Sequence, residues 1–171
     1  MTAYVALLRA VNVSGAGLLP MSELRSMGEA CGFTRVRTHI ASGNLLFDSD
    51  LVEEAMIRLL DERIAAIFGK RVPLFVRSAA EMRAIADSNP FPDERGSRNM
   101  VFFLGGPPPA DLLAHVRGRQ GERIALGIRE VSVAYGEGIG KTKLVLPDPD
   151  GRTARNRNTV EAITVRLEEG K

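Results

Sequence analysis

The chain has one cysteine, no tryptophan and only two histidines. A lone Cys31 excludes a disulfide framework and favours a cytosolic address. His39 and His115 lie far apart with no cysteine pair to join them, so no metal site is expected. No apolar run approaches the ~18 residues of a membrane span. The start, Met1-Thr-Ala-Tyr4, lacks the basic residues of a signal peptide, so the expected place is the cytoplasm, with no membrane partner. Aromatics are scarce, seven Phe and two Tyr, and the strands lack the stacking pattern of RNA-recognition domains. An excess of one charge is missing as well. Lys+Arg 23 against Asp+Glu 21 gives a net charge of +2, too small for a generic polyanion binder.

What is present is an ordinary globular composition, 44% hydrophobic and 26% charged over 171 residues. That length holds one domain or two small ones. Ala3–Arg9 is short and apolar and reads as a buried strand, followed by a loop, Asn12–Gly17. Pro20 opens a helix carrying Met21, Leu24, Met27 and Cys31 at helical spacing, and Gly32 ends it. Val36–Ile40 and Leu45–Phe47 read as strands joined at Ser42-Gly43-Asn44. Asp50-Leu-Val-Glu53 has capping-box form ahead of an amphipathic helix through Met56, Leu60 and Ile64, and Val72–Val76 gives a further strand. The order β-α-β-β-α-β is that of the ferredoxin-like split βαβ motif.

In the second half, Ser78-Ala-Ala-Glu81 is another capping box, and Asn89-Pro-Phe-Pro92 stops the helix that it opens. Met100–Leu104 reads as a strand. Pro107–Pro109 lead into a predicted helix with Leu112, Leu113 and Val116. Arg123–Gly127 and Glu130–Tyr135 read as paired strands. Asn158-Thr-Val-Glu161 has capping-box form before a last helix on Val160, Ile163 and Leu167. This half looks like a ferredoxin-like unit that has lost or replaced one strand. The expected fold is therefore α+β: two packed ferredoxin-like (split βαβ) subdomains, residues 1–77 and 78–171, the second incomplete.

Candidate chemistry sits in loops. Between Lys141 and Arg157 lie five cations and two acids, and two of the chain's four lysines, Lys141 and Lys143, fall within three residues. Lysine is a compact, mobile point charge suited to phosphate contact. Gly136–Thr142 is not a P-loop: Gly136 and Gly140 enclose three residues where the motif needs four, and no helix can follow through Pro147 and Pro149. It reads instead as a flexible glycine-rich loop presenting two lysines, with a plain solvated loop as the competing reading. Thr153-Ala-Arg-Asn-Arg-Asn-Thr159 sets Arg155 and Arg157 beside a helix start, where guanidinium groups and N–H dipoles could meet one anion. The competing reading is a cap at Asn158 with the arginines in solvent. The Asn12–Gly17 segment precedes a helix but lacks a full dinucleotide fingerprint. The two histidines, Cys31 and the scattered acids form no general-base, metal or carboxylate-pair arrangement.

Taken in order, Tyr4-Val-Ala-Leu-Leu-Arg9 with Asn12-Val, Pro20-Met-Ser-Glu-Leu-Arg25, Gly32-Phe33, Val36-Arg-Thr38 and Ser42-Gly-Asn44 resemble the bacterial family labelled "domain of unknown function 1697". Asn89-Pro-Phe91, Gly140-Lys-Thr-Lys-Leu144 and Thr153–Thr159 continue the likeness over essentially the whole chain. The resemblance implies two ferredoxin-like subdomains and no particular activity. Two departures stand out. Ala16 and Leu18 occupy places where such proteins commonly carry cations, and Arg157 stands where a tryptophan is usual. The likeness points to Arg9, Asn12, Ser42, Asn44, Lys141, Lys143, Arg155 and Asn158 as acting jointly, and the helix start adds Thr159.

The functional expectation is a cytoplasmic protein that binds a phosphorylated or otherwise anionic small molecule through the basic loop and the helix N-terminus. No cofactor and no metal are expected. An enzyme acting on such a ligand, or a nucleic-acid or protein interaction module, is the alternative, and nucleic acid is the less favoured partner because of the small net charge.

Overall fold

A computed structural model describes residues 1–9, 20–40, 43–147 and 152–169. The fold is α+β, with two four-stranded antiparallel sheets. The chain separates into two compact units, Met1–Arg83 with Ile163–Lys171, and Ala84–Ala162. The sequence-based divide between residues 77 and 78 falls one residue before the end of a strand, whereas these units change over inside two helices.

In the first unit the strands are β1 (Thr2–Leu8), β2 (Thr34–Thr38), β3 (Asn44–Ser49) and β4 (Leu74–Ser78), in the spatial order β2-β3-β1-β4. Helices α1 (Met21–Ala30) and α2 (Glu53–Phe68) connect them, giving the β-α-β-β-α-β order that the sequence predicts. Leu24 and Met27 of α1 and Met56, Leu60 and Ile64 of α2 form one core with Ala6, Leu8, Leu45, Phe47, Leu74 and Val76. Gly28 permits the close seat of α1. A Cβ there would stand 3.0 Å from Val36 Cγ1 and 3.1 Å from Leu45 Cδ2. Asp50 does not cap α2, whose N-cap is Val52 with no side-chain cap bond. Ser49 Oγ instead accepts from Leu51 N at 3.0 Å, because a serine two residues before an N–H favours a local turn over a helix cap. His39 follows β2 rather than lying within it.

Helix α3 (Ala79–Asp87) follows β4 directly, and here the capping box forms as read. Ser78 N donates to Glu81 Oε1 at 2.9 Å and Glu81 N to Ser78 Oγ at 3.1 Å. Helix α4 (Arg157–Glu168) is the last element. Its closing turns belong to the first unit, where Thr164 Oγ1 meets the Met82 carbonyl at 3.4 Å and Arg83 Nε donates to Glu168 Oε2 at 3.0 Å. Arg166 Nη1 donates to the Thr38 carbonyl at 2.8 Å and approaches His39 Nδ1 at 3.1 Å.

The second unit contains β5 (Asn99–Phe103), β6 (Arg123–Leu126), β7 (Glu130–Ala134) and β8 (Thr153–Asn156), in the order β6-β7-β5-β8. Numbered within their own units, both sheets share one strand order. The strand that the sequence reading misses is β8, four residues hidden inside the Thr153–Thr159 motif. Too short and too polar for a period-2 signal, it is fixed by pairing: Val101 faces Arg155 and Phe103 faces Thr153. Among the described residues no α-helix connects its strands in the way α1 and α2 connect those of the first unit. The predicted helix around Leu112 is a 3-10 turn, Leu112–His115, and a second 3-10 segment, Gly136–Lys141, occupies the place that α2 holds in the first unit. The three prolines before Leu112 restrain the backbone and remove N–H donors, and the Gly118 and Gly121 breaks follow closely.

Candidate functional site

The glycine-rich segment is built into the second unit, not a free loop. Tyr135 leaves β7 and its N–H donates to the Arg98 carbonyl at 2.9 Å. Gly136 N then donates to Glu94 Oε2 at 2.8 Å, fixing the start of the Gly136–Lys141 turn. At its far end Thr142 Oγ1 donates to Glu122 Oε2 at 2.8 Å and accepts from Leu144 N at 3.1 Å. Beyond that point Arg117 and Val145 exchange backbone hydrogen bonds at 3.0 and 2.7 Å. Gly118 is required here. Its φ is +71°, and a Cβ would stand 1.9 Å from the Lys143 carbonyl oxygen. Glu122 is buried, and the Gln120 backbone N–H and the Thr142 hydroxyl hold its carboxyl below the usual range.

Around this anchor exposure alternates. Lys141 and Lys143 are exposed while Thr142 and Leu144 turn partly inward. Lys141 closes the 3-10 turn and Lys143 follows it in the segment beyond, so both ammonium groups reach solvent on either side of the anchored Thr142.

The start of α4 lies differently from its sequence reading. The cap is Asn156, whose Oδ1 accepts from Thr159 N at 2.9 Å, so the expected box at Asn158 does not form. Polar residues in consecutive positions each offer a cap, and the end of β8 chooses among them. Asn158 is exposed in the first turn, its side chain filling the space above Gly96, where a Cβ would stand 1.9 Å from Asn158 Oδ1. The Gly96–Arg98 turn touches both β8 and the Gly136–Lys141 turn. It thereby places the α4 start and the lysine segment at one end of the second sheet.

Arg155 and Arg157 face inward. Arg155 is buried in β8, Nη1 donating to Thr153 Oγ1 at 2.7 Å and to the Ala154 carbonyl at 2.9 Å, and burial pushes its pKa down to about 10. Arg157 is buried as well, with Nη1 on the Ile85 carbonyl at 2.6 Å and Nη2 on Ser132 Oγ at 3.0 Å. The guanidinium forks that the sequence offers to an anion are engaged with the protein's own oxygens.

Four further candidates belong to the first unit. Arg9 is exposed, its N–H bonded to the Pro73 carbonyl at 3.0 Å. Asn44 is fully buried and closes the β2–β3 turn through Nδ2 to the His39 carbonyl at 2.9 Å. Asn12 and Ser42 lie outside the described residues, as do Ala16 and Leu18 of the first loop. Asn89 is a turn anchor, accepting from Phe91 N and from Asn99 Nδ2, both at 2.9 Å.

One face of the second sheet carries residues to which the sequence reading gave no site role. Leu112, Val131, Val133 and Leu146 are buried there, and Phe102, Ile124, Tyr135 and Leu144 are only partly covered. Arg152 stacks its guanidinium over Phe102, 5.4 Å from the ring centroid. Burial pushes the Tyr135 phenol up, against the opposing pull of Arg152. The period-2 alternation of Val131, Val133 and Tyr135 is the signal that places Tyr135 on this face. Nothing local in sequence pairs Arg152 with Phe102. Among the described residues no three His, Cys, Asp or Glu side chains gather to hold a metal, and no helix is long and apolar enough to cross a membrane.

No curated protein matches the chain. A conserved bacterial protein from Streptococcus pneumoniae, SP0830, has a similar solved structure with a TM-score of 0.79 and 22% sequence identity, covering 98% of this chain and 99% of that one. At that identity the likeness concerns the fold. The model of the family described as "Protein of unknown function (DUF1697)" matches residues 1–131, well over half of the chain, and the protein belongs to that family.

Proposed function

We propose that this protein binds an anionic, phosphorylated small molecule at the end of its second sheet. Lys141 and Lys143 supply the charge, and Asn158 and Thr159 supply polar groups at the start of α4. The observation that carries the reading is the Thr142–Glu122 hydrogen bond of 2.8 Å between two exposed lysines. A buried carboxylate holds Thr142, so the backbone that carries the two exposed lysines is fixed while their side chains stay in solvent. In this reading Arg155 is framework that supports β8, and Arg9 and Asn44 serve the first unit. The two sheets act as ferredoxin-like platforms in a cytoplasmic bacterial protein.

The test is calorimetric titration of the full chain with inorganic pyrophosphate, wild type against Lys141→Ala/Lys143→Ala. The double variant is expected to lose at least tenfold in affinity with its thermal midpoint unchanged. Equal affinity in the two proteins overturns the reading. So does binding only to oligonucleotides with a steep salt dependence, the mark of counterion release from a polyanion.

A further inference from the structure

In the first unit two helices cover one face of the sheet completely. Leu8, Leu45 and Phe47 lie in that core, each 0% exposed. The matching face of the second sheet is covered by 3-10 turns and by the segments that carry Val116, Leu144 and Leu146, and Phe102, Ile124 and Tyr135 stay only partly buried. Partly exposed aromatic and apolar side chains at the margin of this core, set beside cations, offer a planar ligand a surface to lie on.

The position of the cations makes the description specific. Leu144 packs on this face, and the segment that carries it carries Lys143 one residue earlier. On the opposite side, β8 pairs with β5 and brings Arg152 over Phe102. Tyr135 lies within electrostatic reach of Arg152 and of Glu122, the anchor of the lysine segment. A planar group entering the face would meet a phenyl ring and a guanidinium plane, both of which stack on aromatic bases. A phosphate attached to that group would extend toward Lys141 and Lys143.

We infer that the ligand is a mononucleotide, its base held on the Phe102–Arg152–Tyr135 surface of the second sheet and its phosphate by Lys141 and Lys143. This rests on the phosphate reading above and adds the chemical class of the ligand. Base–aromatic stacking contributes about 1–3 kcal/mol, so the base should contribute about five- to 150-fold in affinity.

The experiment titrates the full chain with the four common nucleoside 5'-monophosphates, ribose 5-phosphate and inorganic pyrophosphate at one ionic strength. At least one nucleotide is expected to bind tenfold or more tightly than ribose 5-phosphate. Phe102→Leu, which keeps an apolar side chain of similar bulk, is expected to erase that advantage while leaving pyrophosphate binding as it was. Arg152→Gln should reduce it several-fold. If no nucleotide exceeds ribose 5-phosphate, or if Phe102→Leu and Arg152→Gln both leave the ratio unchanged, the inference is overturned. Pyrophosphate binding that still depends on Lys141 and Lys143 would then leave the phosphate site standing. Loss of that dependence would remove both.

Discussion

The two units lay their strands in the same order and cover them with different material. In the first, α1 and α2 place Leu24, Met27, Met56, Leu60 and Ile64 on the sheet. In the second, proline and glycine confine the connections to turns, and Leu112, Leu146 and their neighbours form a thinner layer. The likeness reaches below topology. Arg77 in β4 and Arg155 in β8 are both buried, both donate Nη1 to the carbonyl of the preceding residue at 2.9 Å, and both precede a capping side chain and a helix. A strand, an inward arginine, a cap and a helix thus recur as one device. The same frame carries a thick helical cover in one unit and a thinner cover of turns in the other, and the connections between the strands make the difference.

The chain supplies its own reporters for testing this contrast. It has no tryptophan and two tyrosines, Tyr4 in the first unit and Tyr135 in the second, so Tyr4→Phe or Tyr135→Phe leaves fluorescence from one unit. The largest expected effect is in the thicker layer. Leu60→Ala should cost about 3–5 kcal/mol, because the packed helices cannot collapse into the cavity. Leu112→Ala in the thin layer should cost about 1–2 kcal/mol, because turns relax more readily. Urea midpoints read on each tyrosine check both, and equal losses would break the contrast.

Next is Gly118→Ala, with an expected loss of about 1–3 kcal/mol from a positive φ and a backbone collision. Only the Tyr135 signal should shift, and pyrophosphate affinity should fall with it. The caps come third. Ser78→Ala and Asn156→Ala should each cost about 1 kcal/mol, whereas Asn158→Ala should stay within about 0.5 kcal/mol. Thermal midpoints rank the three, and a costly Asn158→Ala would put the cap back where the sequence suggested it.

The smallest effect is a pH dependence confined to the first unit. Burial, and then the Arg166 guanidinium, hold the His39 pKa below its ordinary value of 6.5. The unfolded chain therefore takes up the proton first. The stability tied to neutral His39 is fully present above pH 6.5 and is lost as the pH falls through and below it. His39→Gln should flatten the stability profile between pH 5 and 7, as followed by Tyr4 fluorescence.

The first half of the chain was legible because its helices and strands carry clean periods: Leu24 and Met27, then Met56, Leu60 and Ile64, all point inward as the spacing requires. The second half was legible only where strands pair locally, as β6 and β7 do. Strand β8 draws its identity from a partner some fifty residues earlier, so Thr153–Asn156 read as a site instead. Caps were ambiguous for a related reason. Ser78 stands alone before α3, whereas Asn156 and Asn158 compete before α4 and only the end of the strand decides. Lys141 and Lys143 were visible as a rare pair of residues in sequence. Their anchor on Glu122 was not, since a carboxylate twenty residues away leaves no periodic trace.

Helix α4 begins in the second unit and ends in the first. During synthesis the four strands of the first sheet emerge early, yet Thr164 and Glu168, which bind Met82 and Arg83, emerge only after the whole of the second unit. The unit that begins first is completed last. Until then the nascent chain holds an unfinished structure whose final contacts must wait for its neighbour to be made, and a ribosome stalled anywhere in the second half would leave both units incomplete.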